Sequence, residues 1–305
     1  MSNEPSHMSW GAELLWEQLQ PLMPGISIEV VARADSTNSQ LIDRARMFSG
    51  RRDQPVTIPG ALELQDRDEH SPHGRRTGDT HPCLLVAESQ TRGRGRHGRN
   101  WQSSTGASLT FSLAVALSPR DWSGLSLAVG VALAEALEAV PGAGGPAIGL
   151  KWPNDLWLMD APGSGRKLGG VLIETVMVGS RRMAIVGVGL NVAPQPTRDL
   201  SSGYACLQER QPGVDAPAAL HQVAAPLAAA LLLFEREGFA AFAGRFAQRD
   251  LLRGQPITTT LPQVPAGVAD GVGEDGSLRV RVGQGADAAV QLVSSGDVSV
   301  RIDGN

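Results

Sequence analysis

The run Glu88-Ser89-Gln90-Thr91-Arg92-Gly93-Arg94-Gly95-Arg96-His97-Gly98-Arg99-Asn100-Trp101 constrains this chain more than any other stretch. Four arginines and three glycines fall within eight residues, directly after an apolar strand-like segment, Cys83 to Ala87. Glycine permits positive φ and close backbone approach to a ligand. Successive N–H groups in such turns form concave anion sites. Arginine adds a fixed charge and a planar fork that fits phosphate or carboxylate. Like charges repel and there is little apolar surface to bury, so the free loop is expected to be mobile until an anion neutralises it. A solvated basic loop and an RGG-like nucleic-acid segment remain open on this stretch alone.

The rest of the composition narrows those choices. The chain has 305 residues, enough for one large core and a small satellite domain. Hydrophobic residues make up 42% and charged residues 19%, an ordinary globular balance. The formal net charge is −4, so the basic loop is a local feature on an acidic protein and bulk affinity for nucleic acid is disfavoured. Cys83 and Cys206 form neither a disulfide framework nor a zinc spacing. No apolar run is read as reaching transmembrane length and no signal peptide is recognised, so a soluble cytoplasmic protein that does not engage a membrane is expected.

Periodicity and punctuation give the elements. Residues 9–23 read as a short helix and Ile26 to Val31 as a strand. Asp35-Ser36-Thr37-Asn38-Ser39, ahead of Leu41, Ile42, Ala45 and Phe48, marks a helix start. Residues 50–81 have no apolar period and are expected to be a long, disordered surface insertion. Its histidines His70, His73 and His81 lack regular ligand spacing, and a solvated loop is favoured over a metal site. Leu109, Phe111, Leu113, Val115 and Leu117 alternate, predicting a half-buried strand over 108–117. Leu125 to Val140 reads as an apolar helix ended by Pro141-Gly142. Ile148 to Trp152 reads as a strand interrupted by Pro153-Asn154-Asp155 and resumed by Leu156 to Met159, with a turn at Gly163 to Arg166. Val171 to Val178 and Arg182 to Val188 predict a hairpin. Residues 194–213 are loop-like, and 215–248 are helical, with Pro226 dividing or kinking the run. Five short β segments follow from Gln255, with a turn at Asp275-Gly276. The expected fold is α+β. A mixed β-sheet with packed helices fills residues 1–250, and a small SH3-like β-barrel fills 251–305.

Four polar stations stand at strand or helix ends: Ser36–Asn38, Gln90–Trp101, Lys151–Asp155 with Lys167–Gly170, and Gly187–Asn191. Each alone can be explained as a cap, a turn or a packing glycine. Together they read as one pocket. It would offer hydroxyl and amide groups for a neutral polar head, arginines for phosphates, a lysine for a carboxylate and an aspartate for Mg²⁺. Such parts suit carboxylate activation by ATP, which needs charge neutralisation and in-line positioning. There is no G-x-x-x-x-G-K-[ST] loop.

These residues resemble the biotin protein ligases. The matching pieces are Asp35-Ser36-Thr37-Asn38, Gln90 to Trp101, Lys151-Trp152-Pro153-Asn154-Asp155, Lys167-Leu168-Gly169-Gly170-Val171-Leu172-Ile173-Glu174 and Gly187-Val188-Gly189-Leu190-Asn191-Val192. They occur in the family's order, and Gly296 to Arg301 looks like its C-terminal strand. The resemblance implies conversion of biotin and MgATP to biotinyl-5'-AMP, then transfer to a lysine of a biotin carboxyl carrier protein. It implies that Ser36, Thr37 and Gln90 hydrogen-bond biotin, with Asn38 in support, and that Gly93, Arg94 and Gly189 line its pocket. Arg96 and Arg99 would hold phosphates, and Trp101, Asn154, Asn191 and Tyr204 would serve the nucleotide. Lys167 would sit on the reacting carboxylate, and Asp155 would serve Mg²⁺. A homodimer is left open.

Two departures from the family pattern are the insertion at 50–81 and an N-terminus too short for a winged-helix DNA-binding domain, from which no operator binding is expected. The rival enzymatic reading is a lipoate or octanoate ligase of the same superfamily. The rival outside enzymology is a nucleic-acid-binding protein that uses the arginine loop.

Overall fold

A computed structural model describes residues 8–49, 80–138, 145–196, 202–283, 288–295 and 300–302. The insertion expected over 50–81, save its last two residues, lies outside them, as do Pro141-Gly142, part of the 194–213 loop and residues 296–299.

The elements run α1 (Ala12–Leu19), β1 (Ser27–Ala34), α2 (Thr37–Ser49), β2 (Cys83–Gln90), β3 (Ser108–Ala116), α3 (Leu125–Leu137), β4 (Ile148–Lys151), β5 (Asp155–Ala161), β6 (Ser164–Val178), β7 (Arg181–Asn191), α4 (Ala216–Glu237), α5 (Ala240–Ala247), β8 (Pro256–Thr259), β9 (Ala266–Val272), β10 (Leu278–Val282), β11 (Ala289–Val293) and β12 (Val300–Ile302). Seven strands form one sheet in the order β1-β2-β3-β7-β6-β5-β4. Only β1 and β2 are parallel and the other pairs are antiparallel, so the sheet is mixed as expected. The last five strands make a second, antiparallel sheet, β11-β10-β9-β8-β12, in keeping with an SH3-like unit.

Side-chain alternation assigns the two faces of the large sheet. Leu84, Val86, Leu109, Phe111 and Leu113 pack with α1, α3, α4 and α5 in the main core. Leu85, Ala114, Met183 and Ile185 turn the other way, onto Leu41 and Ile42 of α2. Trp152 links the sheets: its buried Nε1 donates to the carbonyl of Gly276 at 3.0 Å.

Five expectations need correction. β3 is buried on both faces rather than one: on the side that carries Ser108, Thr110 and Ser112, α2 packs over Ser112 and Gln195 bonds Ser108. Pro153 does not interrupt a strand. The chain reverses there, so that β4 and β5 pair antiparallel with Lys151 opposite Asp155. Residues 164–166 belong to β6, and only Gly163, with φ 75°, makes the left-handed turn. Helix α4 runs through Pro226; the break comes at Gly238, with φ 67°. By length and a mean hydropathy of 1.6, α4 is also apolar enough to cross a membrane, contrary to the sequence reading; Leu220, Val223, Leu227 and Phe234 are fully buried in the core.

Candidate functional site

The site is a stripe of small and polar residues on the α2 face of the large sheet. Across the strands, one row reads Ser112–Gly187–Leu172. The next row along reads Thr110–Gly189–Gly170–Asp155. Glycines 187, 189 and 170 leave these positions without side chains, and Asn38, Trp101 and the Asp155–Lys167 pair come in close over them.

Helix α2 closes one end of the stripe. Ser36 accepts from Ser39 N at 3.4 Å, as a capping residue does. Gln90 Oε1 accepts from the free N–H of Thr37 at 2.8 Å and from its hydroxyl at 3.3 Å. Ser112 Oγ lies 2.6 Å from both Thr37 Oγ1 and Asn38 Oδ1. The Asn38 amide donates to Leu172 O at 3.1 Å and to Glu174 Oε2 at 2.9 Å. Ser36, Thr37 and Asn38 are all buried. The sequence reading joined these residues to Gln90 and missed Ser112 and Glu174, which lock them. Alternation along β3 sets Ser112 on the face away from the main core, but nothing local to it points to α2.

The basic loop holds itself together. Gly95 N donates to Arg99 O at 2.7 Å and Trp101 N to Gly93 O at 2.8 Å. His97 takes φ 55°, a left-handed conformation that histidine tolerates better than most side chains. Its arginines then separate. Arg94 pairs with Glu174 at 2.7 Å and donates to Ser39 Oγ at 3.1 Å, beside the α2 end. Arg96 reaches Asn154 Oδ1 at 3.5 Å and the carbonyl of Ser295. Trp101 packs against Gly189 of the second row. A Cβ on Gly189 would stand 2.7 Å from Trp101 Cζ2, and one on Gly93 would collide with Trp101 O. The buried indole N–H of Trp101 has no hydrogen-bond partner.

Lys167 marks the other end. Its Nζ is 2.8 Å from Asp155 Oδ1, and both side chains are half-buried. The pair hangs over Gly170, where a Cβ would sit 3.2 Å from Asp155 Oδ1 and 3.7 Å from Lys167 Nζ. Behind it Lys151 lies 4.6 Å over the Trp157 ring. Burial, opposed by Asp155 and reinforced by the positive charges of Lys167, Arg301 and Arg99, holds the Lys151 ammonium below the usual lysine range. This end is therefore strongly cationic. Lys151 was legible as part of its motif, whereas Arg301, in the segment that matches the family's C-terminal strand, comes from the second sheet and was given no role here.

Asn191 and Tyr204 stand beside Lys167. The Asn191 amide spends both hydrogens on main-chain carbonyls, Lys167 O at 3.2 Å and Ala205 O at 3.0 Å. Tyr204 donates to Ala193 O at 2.7 Å, and burial pushes its hydroxyl up to about 12. Asn154 likewise donates to Val171 O at 2.7 Å. Among the described residues no group of three or more His, Cys, Asp or Glu side chains could hold a metal ion.

The stripe thus joins a neutral polar end to a cationic end that holds the lysine–aspartate pair. Comparison with known proteins gives it a family. Residues 75–191 match the Biotin/lipoate A/B protein ligase family. The Bifunctional ligase/repressor BirA of Escherichia coli is 30% identical over 291 residues, spanning 93% of this chain and 77% of that protein. The Biotin–[acetyl-CoA-carboxylase] ligase of Mycobacterium tuberculosis is 30% identical over 296 residues, spanning 94% of this chain and 91% of that protein. The chain belongs to the biotin protein ligase family. Biotin protein ligase from Aquifex aeolicus, solved in complex with biotin and ATP, shares the fold with a TM-score of 0.63, 24% identity and coverage of 91% and 99% of the two chains. The protein is accordingly a ligase. The five motifs that carried the resemblance lie on the stripe or at its ends; Glu174 and Arg301 lay in matching segments without a role, and Ser112 lay outside them.

Proposed function

We propose that this ligase activates biotin with MgATP and passes it to a lysine of a biotin carboxyl carrier protein. In the first step a biotin carboxylate oxygen attacks the α-phosphorus of ATP. The bond to the β-phosphate bridging oxygen breaks, pyrophosphate leaves and biotinyl-5'-AMP remains. In the second step the neutral ε-amine of the acceptor lysine attacks the acyl carbon. The amide forms, AMP leaves and one proton is released.

The observation that carries this reading is the Lys167–Asp155 pair, 2.8 Å apart over Gly170 at the cationic end of a stripe whose other end is neutral and polar. Thr37, Gln90 and Ser36 would meet the neutral head of biotin, with Asn38 and Ser112 setting their geometry, and Gly93, Arg94 and Gly189 would line its pocket. Lys167 would bridge carboxylate and α-phosphate and stabilise charge that the two anions otherwise oppose. Arg96, Arg99 and Lys151 would neutralise the phosphates. Trp101 would cover the reacting centre, and its unpartnered N–H, which costs about 1–3 kcal/mol when buried alone, would gain an acceptor from the ligand. Tyr204, Asn154 and Asn191 would serve the nucleotide side. One carboxylate is too little to hold a resident ion, but it fits Mg²⁺ that arrives on ATP, where phosphates and waters supply most ligands. Asp155 would contact that ion, which when bound neutralises phosphate charge. A cytoplasmic setting follows from ATP and a carrier-protein acceptor.

The test is ATP–pyrophosphate exchange with MgATP, no acceptor, and biotin, lipoate or octanoate in parallel. Exchange with biotin alone is the expected result. Exchange with lipoate or octanoate instead would reassign the substrate. None with any of the three, from folded protein, would overturn the reading.

A further inference from the structure

The segment 202–209 is fastened to the sheet at the position that carries Lys167. Lys167 N donates to Ser202 O at 3.2 Å, and Ala205 N donates to Lys167 O at 3.0 Å. These two bonds and the Asn191 amide do not explain what keeps the outer side of the segment in place. Its fastening is the residue next to the lysine. Arg166 spends all its donors on three acceptor groups. Its Nε and Nη2 donate to Asp160 at 3.0 and 2.8 Å. Its Nη2 and Nη1 grip Glu209 at 2.8 and 3.1 Å, and Nη1 also donates to Tyr204 O at 3.0 Å. The aliphatic stem lies on Gly203, where a Cβ would come within 2.7 Å of Arg166 Cγ and where φ is 61°. Glu209 in turn accepts from Cys206 N at 2.9 Å.

We infer that Arg166 is a positioning residue for the nucleotide half of the site: its guanidinium ties Glu209 and the Tyr204 carbonyl of 202–209 to Asp160 of β5 and thereby sets Tyr204 and the backbone of Lys167. Arg166 touches no reacting atom. Its side chain points away from the Lys167–Asp155 pair, because successive residues of a strand face opposite ways. The effect passes through main-chain bonds on either side of Tyr204. A lysine cannot replace it, since one ammonium cannot span three acceptors in a fixed fork. This inference rests on the adenylation reading for its kinetic consequence but not for its structural one.

The experiment uses the full chain and the variants Arg166→Gln, Arg166→Lys and Glu209→Gln. Amide hydrogen exchange without ligand should rise about tenfold over 202–206 in both arginine variants, which corresponds to the loss of one charge-assisted hydrogen bond. In ATP–pyrophosphate exchange the KM for ATP should rise about tenfold while the KM for biotin stays within about twofold. Amide exchange within about twofold of the parent would overturn the clamp, since no local opening would have been released. Equal increases in both KM values, with a lowered melting temperature, would show a merely structural residue and overturn the positioning role. If Arg166→Gln does not fold, Glu209→Gln, which releases only one side of the fork, decides on the same readouts. If the parent shows no exchange with biotin, the adenylation reading has failed, and the hydrogen-exchange comparison still decides the clamp.

Discussion

Gly187→Ala probes the polar end without removing any polar group. Gly187 lies opposite Ser112 and Leu172, and its missing side chain is the space that Asn38 fills. An added Cβ would overlap Asn38 Oδ1 and stand 2.9 Å from Asn38 Cγ. Asn38 cannot swing away freely, because it is buried and bonded to Ser112, Leu172 O and Glu174. Two of those bonds are neutral and worth about 1 kcal/mol each, and the bond to the carboxylate is worth about 2 kcal/mol. Losing most of them costs about 3 kcal/mol, which lowers the melting temperature by about 6 °C or more in a chain of this size. Asn38 opens α2 beside Thr37, so biotin affinity should weaken at least about tenfold. Thermal unfolding and titration calorimetry with biotin measure the two effects. Gly244→Ala is the control: no atom lies within 4 Å of the added Cβ, and in the middle of α5 alanine should stabilise by up to about 1 kcal/mol. A Gly187→Ala protein that melts within about 1 °C of the parent and binds biotin within about twofold would refute the argument that this glycine is needed for the Asn38 lock.

Three further outcomes follow from the geometry. Lys167→Ala removes a positioned charge from a half-buried site and should slow single-turnover adenylation by about 10²–10³ with little change in fold; near-parental adenylation would remove Lys167 from its assigned role. Trp152→Phe leaves Gly276 O without its donor between the sheets and should cost about 1–3 kcal/mol in denaturant unfolding, so an unchanged midpoint would show that the sheets do not depend on that bond. Burial, weakly opposed by Leu252 N–H and Arg253, raises the Asp250 carboxyl to about 6, above its usual value of 3.8, and its Oδ2 has no partner. The folded state therefore holds a proton that the unfolded state has lost. The contribution of Asp250 to stability should fall as pH rises from about 4 to 6, so the stability of Asp250→Asn relative to the parent should rise over that range; parallel curves for the two proteins in denaturant melts would contradict it.

Much of this protein was legible without coordinates, and the reason is local chemistry. The Val171 to Val178 and Arg182 to Val188 runs read as hairpin strands and pair as β6 and β7. Asp35 to Ser39 caps a helix, and five motifs in order name a family. Other features were misread because the deciding partner is remote in sequence. Alternation in β3 could not reveal that α2 would cover Ser112. Pro226 marks a break by propensity, but tertiary packing carries α4 through it. Trp152-Pro153-Asn154 was a turn signal inside a strand-like run, and only the pairing of Lys151 with Asp155 shows the reversal.

The same division runs through the site. Sequence determined which groups are present: the glycines, the arginine loop, Lys167, Asp155, Thr37, Asn38 and Gln90, because each motif is contiguous and its residue types are set by chemistry. Tertiary structure alone decided how each is used. It committed Arg94 to Glu174 and turned Asn191 into a support for Lys167. It laid Trp101 on Gly189, brought the charge of Arg301 near Lys151, and made Arg166 a clamp across 43 residues. Hydrogen bonds and charges act over a few ångströms of space, whatever the number of residues between their partners, and only the folded chain fixes those distances.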